Sequence, residues 1–282
     1  MRRRRVLDLT FQAFALFGLL FALVSLGALL YDVWTDGAGR LSWDFIRGFS
    51  SRRAGQAGIW HALTGSIYVI LVTAAVAVPI GVAAAIYLEE YGGRSLLARL
   101  IEINITNLAA VPSIIYGLLG LGLFVRTMGL GRSILAGGAT LALLVLPVVI
   151  LSTREALRAV PSSIREGSYA LGATKWQTIW HQVLPMAMPG ILTGLILALS
   201  RAIGETAPLI TIGAVTFVTF APDSLWSPFT VLPIQVYNWV SRPQLAFHAN
   251  AAAGILVLLA LLLTMNGAAI WLRDRYTKRG SL

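Results

Sequence analysis

An arginine and a glutamate stand four residues apart at the end of a strongly apolar stretch. Arg201 follows directly on the run Ile191–Ser200, and Glu205 comes one helical turn later. Residues i and i+4 share one face of a helix, so the two side chains can form an ion pair. An arginine at bilayer depth costs about 2.5–3.5 kcal/mol on insertion scales, so it persists where it is paired or faces water. Such intramembrane pairs typically mark a transport path, and a purely structural salt bridge is the alternative.

The chemistry that suits this pair is anion binding. A guanidinium donates paired hydrogen bonds to two oxygens of a phosphate-like anion. The Glu205 carboxylate can accept a proton from monobasic or dibasic phosphate and repel an unprotonated oxyanion such as sulfate, or it can merely hold Arg201 until substrate arrives. Gly204 and Pro208 flank the pair and can interrupt the helix, which frees backbone groups along a cavity.

The composition places this pair in a membrane protein. Hydrophobic residues make up 57% of the chain and charged residues 12%, whereas a soluble domain carries about 25% charged residues. The net charge of +10 lies in short clusters beside apolar runs, as topology signals do, which argues against nucleic-acid binding. The chain has no cysteine, which excludes disulfides, thiolate metal sites and thiol nucleophiles.

Six segments have the roughly 20 mostly apolar residues that a membrane helix needs. The sequence therefore predicts an all-α bundle of six membrane helices: Phe11–Tyr31, His61–Leu88, Leu108–Val125, Ser133–Leu151, Pro189–Val218 and Ala249–Leu272. The first exceeds the 7–15-residue apolar core of a signal peptide, so we interpret it as a retained anchor.

The distribution of positive charge orients these spans. With both termini cytoplasmic, that side holds about twice as many Arg and Lys residues as the outer side, in agreement with the positive-inside rule. Arg94 is one of these cytoplasmic residues. The chain then divides into an anchor helix with its outer loop (1–60), a transmembrane domain (61–272) and a basic cytoplasmic tail (273–282). The outer connection 219–248 suits an amphipathic segment at the membrane interface; its aromatic residues are Trp226, Phe229, Tyr237 and Trp239.

The cytoplasmic connection 152–188 contains a helix start. Ser163, with Glu166 three residues on, predicts a capping box, and the helix would continue to Gly172. Gly172 costs a helix roughly 1 kcal/mol relative to alanine, but it lets another surface approach closely. A second short helix ending near Leu184–Pro185 would complete an exposed helix–turn–helix. On local chemistry alone, an ordinary connector is the alternative.

The spacing in this connection resembles the EAA loop of ABC-importer permeases. That pattern sets a glutamate, two small residues, a glycine and a Leu-Pro pair at fixed intervals, and the matching positions here are Glu166, Gly167, Ser168, Gly172, Leu184 and Pro185. Gly167–Ser168 replaces the usual two alanines, and Gln182 replaces an isoleucine. The resemblance implies a coupling helix seated in a groove of an ATP-binding subunit. Because this chain has no G-x-x-x-x-G-K-[ST] phosphate cradle, ATP and Mg²⁺ would be bound by that partner, with no cofactor in this chain.

Three further segments resemble the PstA family of phosphate-importer permeases: Arg201–Leu209, Asn107–Gly117 and Leu232–Trp239. The resemblance implies a transport subunit, not an enzyme, that imports inorganic phosphate across the bacterial inner membrane. It also implies three partners: a homologous permease (PstC), two copies of the ATPase (PstB) and an external phosphate-binding protein (PstS). The alternatives are an importer of another oxyanion, such as molybdate, sulfate or phosphonate, and more distantly an autonomous secondary transporter or membrane enzyme.

Smaller polar features remain in the spans. Pro112 interrupts the third span, where Ser113 and Tyr116 could line a polar path or bond backbone carbonyls of a bent helix. Hydrogen bonds between helices are predicted for Asn104, Asn107 and Asn266. No metal site is predicted, because the three histidines lie on separate segments without a second ligand at metal spacing.

Overall fold

The chain forms an all-α bundle in this computed structural model. The structure describes residues 2–93, 95–214 and 218–279, and every regular element in these ranges is a helix. Arg94 and the last three residues of the predicted tail lie outside the described residues. The helices are α1 Arg2–Gly37, α2 Trp43–Arg47, α3 Trp60–Ile86, α4 Leu96–Ala109, α5 Ser113–Gly120, α6 Ile134–Arg158, α7 Ser162–Ala170, α8 Lys175–Thr178, α9 Leu184–Gly204, α10 Ala207–Ile212, α11 Leu232–Val240 and α12 Ala246–Arg279.

Within the described residues, five helices are long and apolar enough to cross a membrane on their own. A sixth candidate span consists of α4 and α5, continued by a π-helical turn to Thr127, and it is bent by 104°. The predicted third span, Leu108–Val125, includes only the last two residues of α4 and omits the rest of that helix. Pro112 has no N–H and disfavours helical backbone at Val111, which explains the break.

The fifth predicted span, Pro189–Val218, is also interrupted. α9 ends at Gly204, and Glu205 has extended backbone angles (φ −73°, ψ 130°) before α10 begins at Ala207. This confirms the interruption predicted from Gly204 and Pro208. Residues 215–217, near the predicted end of the span, lie outside the described residues.

The same span begins earlier than predicted. α8 continues through a π-helical turn, Ile179–Val183, directly into α9. The predicted second short helix ending near Leu184–Pro185 is therefore wrong. Proline is tolerated in the first turn of a helix, and the π-helical turn before it carries the chain on without a break.

α6 is the central helix of the bundle. Most of its apolar stretch is buried, whereas the apolar stretches of α1 and α12 are not. α6 packs against α3 and α9, and also against the shorter α5 and α10. The main core joins side chains of these helices, including Val72, Val145, Ala198 and Leu209. α6 thus supports both interrupted spans.

α1 lies at the periphery and contacts α12. The contact is closest at Gly37, where an added Cβ would lie 2.6 Å from the backbone nitrogen of Ala253. Nearly all apolar side chains of α1 from Leu9 to Trp34 are exposed. Such a surface is stable where the surrounding solvent is lipid.

The connection 219–248 contributes to the core more than predicted. It contains α11, which packs against α12 and α3. Phe229 and Trp239 are each 1% exposed, whereas Trp226 and Tyr237 are each 61% exposed. The prediction of an interfacial aromatic segment is therefore wrong for Phe229 and Trp239. Aromatic residues serve both cores and interfaces, and packing decides between them.

The helix start in the connection between α6 and α9 also differs from the prediction. α7 begins at Ser162, and its N-cap, Pro161, makes no side-chain capping bond. The predicted capping box of Ser163 and Glu166 is therefore wrong, because Ser163 already lies inside the first turn. The capping box lies instead at α8, where Thr174 Oγ1 accepts from the backbone of Gln177 and the Gln177 side chain accepts from the Thr174 N–H.

Candidate functional site

The break after α9 holds the charged pair singled out from the sequence. Arg201 Nε lies 3.4 Å from Glu205 Oε1. Arg201 is in the last turn of α9, while Glu205 is already in extended backbone. The Arg201 side chain is 52% exposed and that of Glu205 is 18% exposed. The guanidinium therefore keeps most of its donors free on the surface of this chain.

The two interrupted spans meet at this site. α10 packs against α5, and the two helices are close at Gly117, where an added Cβ would lie 2.7 Å from Cα of Pro208. The breaks at Pro112 and at Glu205 thus belong to helices in direct contact. Non-helical backbone at membrane depth is tolerated where it is buried in protein or lines a water-filled cavity.

Ser113 and Tyr116 occupy different settings on α5. Ser113 is the first residue of the helix and is half-buried. Tyr116 is buried in the main core, and its hydroxyl donates to the backbone oxygen of Leu108 at 2.8 Å. Tyr116 therefore bridges the bend between α4 and α5, where it adds a second hydrogen bond to a carbonyl that already accepts from the Val111 N–H.

A small crevice lies beside the end of α9. It lies among α3, α6, α9 and α10, and its volume of ≈ 10 Å³ is about the volume that one water needs. Its lining includes Ser66, Ala202, Ile203 and Leu209. This crevice is too small for an oxyanion, whereas half of the Arg201 side chain is exposed on the surface of the chain.

One of the three asparagines singled out from the sequence links two helices near the site. Ser200 Oγ on α9 lies 2.6 Å from Asn266 Oδ1 on α12, which confirms the interhelical contact predicted for Asn266. Asn104 instead donates to the Leu100 carbonyl in its own helix, so its predicted interhelical bond is wrong. Asn107 lines an open groove of ≈ 340 Å³ along α4.

The EAA-like residues lie on the connection between α6 and α9. Glu166 and Gly167 are exposed on α7. Ser168 Oγ lies 2.8 Å from Thr178 Oγ1, and this hydrogen bond links α7 to α8. Leu184 and Pro185 form the first turn of α9, with Leu184 half-buried.

Gly172 ends α7 in a left-handed conformation. Its φ is +82°. The Ala173 N–H bonds the Ser168 carbonyl and the Gly172 N–H bonds the Tyr169 carbonyl, which is the Schellman pattern. An added Cβ would meet nothing within 4 Å, so backbone conformation, not close packing within this chain, requires the glycine. The neighbouring Leu171 is 91% exposed, which leaves a large apolar side chain open at the tip.

A network of ion pairs at the same end of the bundle was not predicted from the sequence. Arg154 on α6 is buried and contacts Glu102 at 3.0 Å and Glu89 at 3.4 Å. Arg158, one turn on, contacts Glu89 at 2.9 Å. The network joins the end of the third helix, α4 of the bent span and the end of α6. The available signal was Glu89 at a span end and two arginines at i, i+4 spacing.

A second ion pair attaches α7 to this end. Arg165 Nη2 lies 2.8 Å from Glu90 Oε1, and the same guanidinium donates to the carbonyls of Val160 and Leu157 at 2.8 and 2.9 Å. The arginines of this connection were assigned to topology from the sequence alone. In the structure they also fix the connection to the spans.

Two comparisons with known proteins identify the family. The model of the binding-protein-dependent transport system inner membrane component matches residues 77–278. The chain is 36% identical to phosphate transport system permease protein PstA 1 of Mycobacterium tuberculosis strain H37Rv, over 99% of this chain and 92% of that one. It is 38% identical to PstA of Mycobacterium leprae strain TN, over 95% and 89% of the two chains.

Solved structures agree on the fold. A chain of the methionine ABC transporter MetNI, in inward-facing conformation, matches with a TM-score of 0.57 at 19% identity, over 79% of this chain and 94% of that one. An amino acid ABC transporter solved with histidines matches with a TM-score of 0.53 at 18% identity, over 77% and 92%. The fold is that of type I ABC-importer permeases. The chain is thus a multi-pass inner-membrane protein and belongs to the PstA family of binding-protein-dependent transport permeases.

Proposed function

We propose that this chain is the permease subunit of an ATP-driven importer of inorganic phosphate. The observation that carries the proposal is the ion pair of a half-exposed Arg201 with Glu205 at a break in an apolar span. The membership of the PstA family, whose relatives are named for phosphate transport, supports the choice of anion.

The geometry of the pair suits a transient anion contact. A single contact of 3.4 Å engages Arg201 Nε, so the other donors of the guanidinium remain available for two phosphate oxygens. Glu205 keeps the arginine neutralised in the empty state and can accept a proton from bound phosphate. A fully ionised oxyanion would meet repulsion from the same carboxylate.

The path is proposed to lie between two permease subunits. The crevice beside the end of α9 measures ≈ 10 Å³, which is too small for an oxyanion. Arg201 faces outward from the chain. A homologous permease, PstC, would cover that face. Ser113 on the adjoining α5 would belong to the shared wall, and Tyr116 would support it from the core.

Energy is proposed to come from a separate ATPase, the PstB dimer, which would bind ATP and Mg²⁺. The exposed α7 with Glu166 and Gly167, and the open Leu171 at its tip, form a surface fit to dock in a groove. Closure of the ATPase dimer on ATP would move this surface and open the permease pair outward. Phosphate delivered by an external PstS protein would then enter and leave inward.

Arg201→Gln, Arg201→Lys and Glu205→Gln in the assembled importer test the substrate role. Both arginine variants should abolish phosphate uptake while the complex still assembles, since neither side chain presents the planar fork. Arg52→Gln, at an exposed position in the connection after α2, is the matched control and should transport normally. Normal uptake by Arg201→Gln would refute the proposal and leave the pair a structural salt bridge.

The alternative functions have their own tests. Uptake of radiolabelled phosphate in the presence of unlabelled sulfate, molybdate or phosphonate distinguishes the oxyanions, and equal competition by any of them would overturn the phosphate assignment. Reconstitution of this chain alone tests an autonomous transporter or enzyme. Uptake or turnover without ATP would exclude the permease role.

A further inference from the structure

The position of Arg201 depends on the backbone of α9. Its guanidinium is half-exposed and makes one long contact, to Glu205. The helix ends three residues later at Gly204, and the following residue is extended. Because the helix does not continue, neighbouring helices must hold its last turn in place.

Ser200, next to Arg201, makes such a contact. Its Oγ lies 2.6 Å from Asn266 Oδ1 on α12 and 2.7 Å from the Ile196 carbonyl on its own helix. A hydroxyl carries one hydrogen and two acceptor lone pairs. Ser200 therefore shares its one hydrogen between the Ile196 carbonyl and Asn266 Oδ1, and both oxygens accept.

The amide oxygen of Asn266 faces Ser200. Asn266 is thus the acceptor that ties the end of α9 to α12.

We propose that Asn266 is a positioning residue for the substrate: through Ser200 it fixes the place of the Arg201 guanidinium on the phosphate path. The inference rests on the proposed function of Arg201. Two oxygens must meet the planar fork together, and a displacement of about 1 Å can cost on the order of 100-fold in rate. Asn266 is therefore expected to matter for uptake without touching phosphate.

α12 offers a matched control residue. Thr264 lies two positions before Asn266 and is exposed, and its hydroxyl donates to the Ala260 and Leu261 carbonyls of its own helix at 2.9 Å. Its removal therefore deletes a polar group from the same span without breaking a link between helices. Thr264→Val isolates the effect of the link.

The first measurement is phosphate uptake by the assembled importer. Asn266→Leu and Ser200→Ala should each lower uptake by about tenfold or more, with unchanged amounts of assembled complex. Ser200→Thr, which keeps the hydroxyl, and Thr264→Val should stay within about twofold of wild type. Normal uptake by Asn266→Leu would overturn the proposal.

The second measurement reports position directly. The chain has no cysteine, so Arg201→Cys provides a single thiol for a cationic methanethiosulfonate reagent. Its labelling rate should change several-fold in an Asn266→Leu background and stay constant in a Thr264→Val background.

An unchanged labelling rate, even with reduced uptake, would mean a structural role and overturn the proposal. A wild-type importer that takes up no phosphate would refute the proposed function instead. In that case the labelling rates alone still decide whether Asn266 positions residue 201.

Discussion

Arg165 attaches α7 to the membrane spans, and its removal provides a quantitative test of the coupling role. The guanidinium contacts Glu90 Oε1 at 2.8 and 3.2 Å and donates to two carbonyls at the end of α6. Arg165→Met keeps much of the apolar stem and removes every one of these donors. The buried Glu90 carboxylate then loses its partner.

The expected loss of free energy follows from the burial of the Arg165–Glu90 pair. The two side chains are 19% and 7% exposed. Removing one partner of a buried pair costs about 3–5 kcal/mol, and the lower end applies here because water reaches part of Arg165. A loss of about 3 kcal/mol raises the equilibrium opening of α7 by roughly 100-fold. Replacing both partners, as in Arg165→Met with Glu90→Leu, should restore most of this loss, since no unpaired charge stays buried.

Hydrogen–deuterium exchange of the α7 amides, in the membrane-embedded permease before the ATPase is added, measures this opening. Exchange should accelerate by roughly 100-fold in Arg165→Met and return towards wild type in the double variant. The phosphate imported per ATP hydrolysed should fall in parallel in the assembled importer.

Arg158→Met is the control, because its ion pair with Glu89 is 43% exposed at the arginine and should cost about 1 kcal/mol or less. Unchanged exchange in Arg165→Met would refute the reasoning. Exchange of the α7 amides that is as fast in the double variant as in Arg165→Met would refute it as well.

Three further substitutions test individual features. Gly172→Ala forces a side chain into a left-handed backbone (φ +82°) at a cost of about 1–2 kcal/mol, and should lower the phosphate imported per ATP hydrolysed. Gly117→Ala would bring a methyl within 2.7 Å of Cα of Pro208, so it should separate α5 from α10 and reduce uptake while ATP hydrolysis persists. Trp239→Ala removes a fully buried ring and should cost about 3–5 kcal/mol, seen as a lower thermal midpoint of the purified complex. Tyr237→Ala, at an exposed position on the same helix, should cost about 0.5 kcal/mol or less.

The spans and their interruptions could be predicted because their causes are local. Lipid requires about 20 apolar residues in a row, whatever their partners. Pro112 breaks the third span through its missing N–H, and Gly204 with Pro208 predicts the interruption at Glu205. The structure has both breaks at these residues.

Helix ends were less predictable than helix breaks. Ser163 and Glu166 have the spacing of a capping box, but α7 begins one residue before Ser163. Thr174 and Gln177 share the same type of pattern and do form the box. Several capping-box patterns overlap within this one connection, and the end of the adjoining span decides which of them caps a helix.

The candidate site was predicted only in part from the sequence. The residue types and spacing of Arg201 and Glu205 predicted an ion pair, and the structure has one, although Glu205 is outside the helix that was expected to carry it. The exposed face of Arg201 and the small crevice beside the end of α9 could not be predicted, because they depend on how α9 packs against α3 and α6.

The sequence by itself determined that the chain crosses a membrane, where two spans break and which charged pair sits at one break. These properties follow from hydropathy, from proline and glycine chemistry, and from spacing within one helix. Only the tertiary structure decided that the two broken spans meet, that Asn266 reaches Ser200, and that Glu89 and Glu90 bind arginines more than 60 positions away. Contacts between distant segments depend on helix packing, which the order of residues along any one helix does not contain.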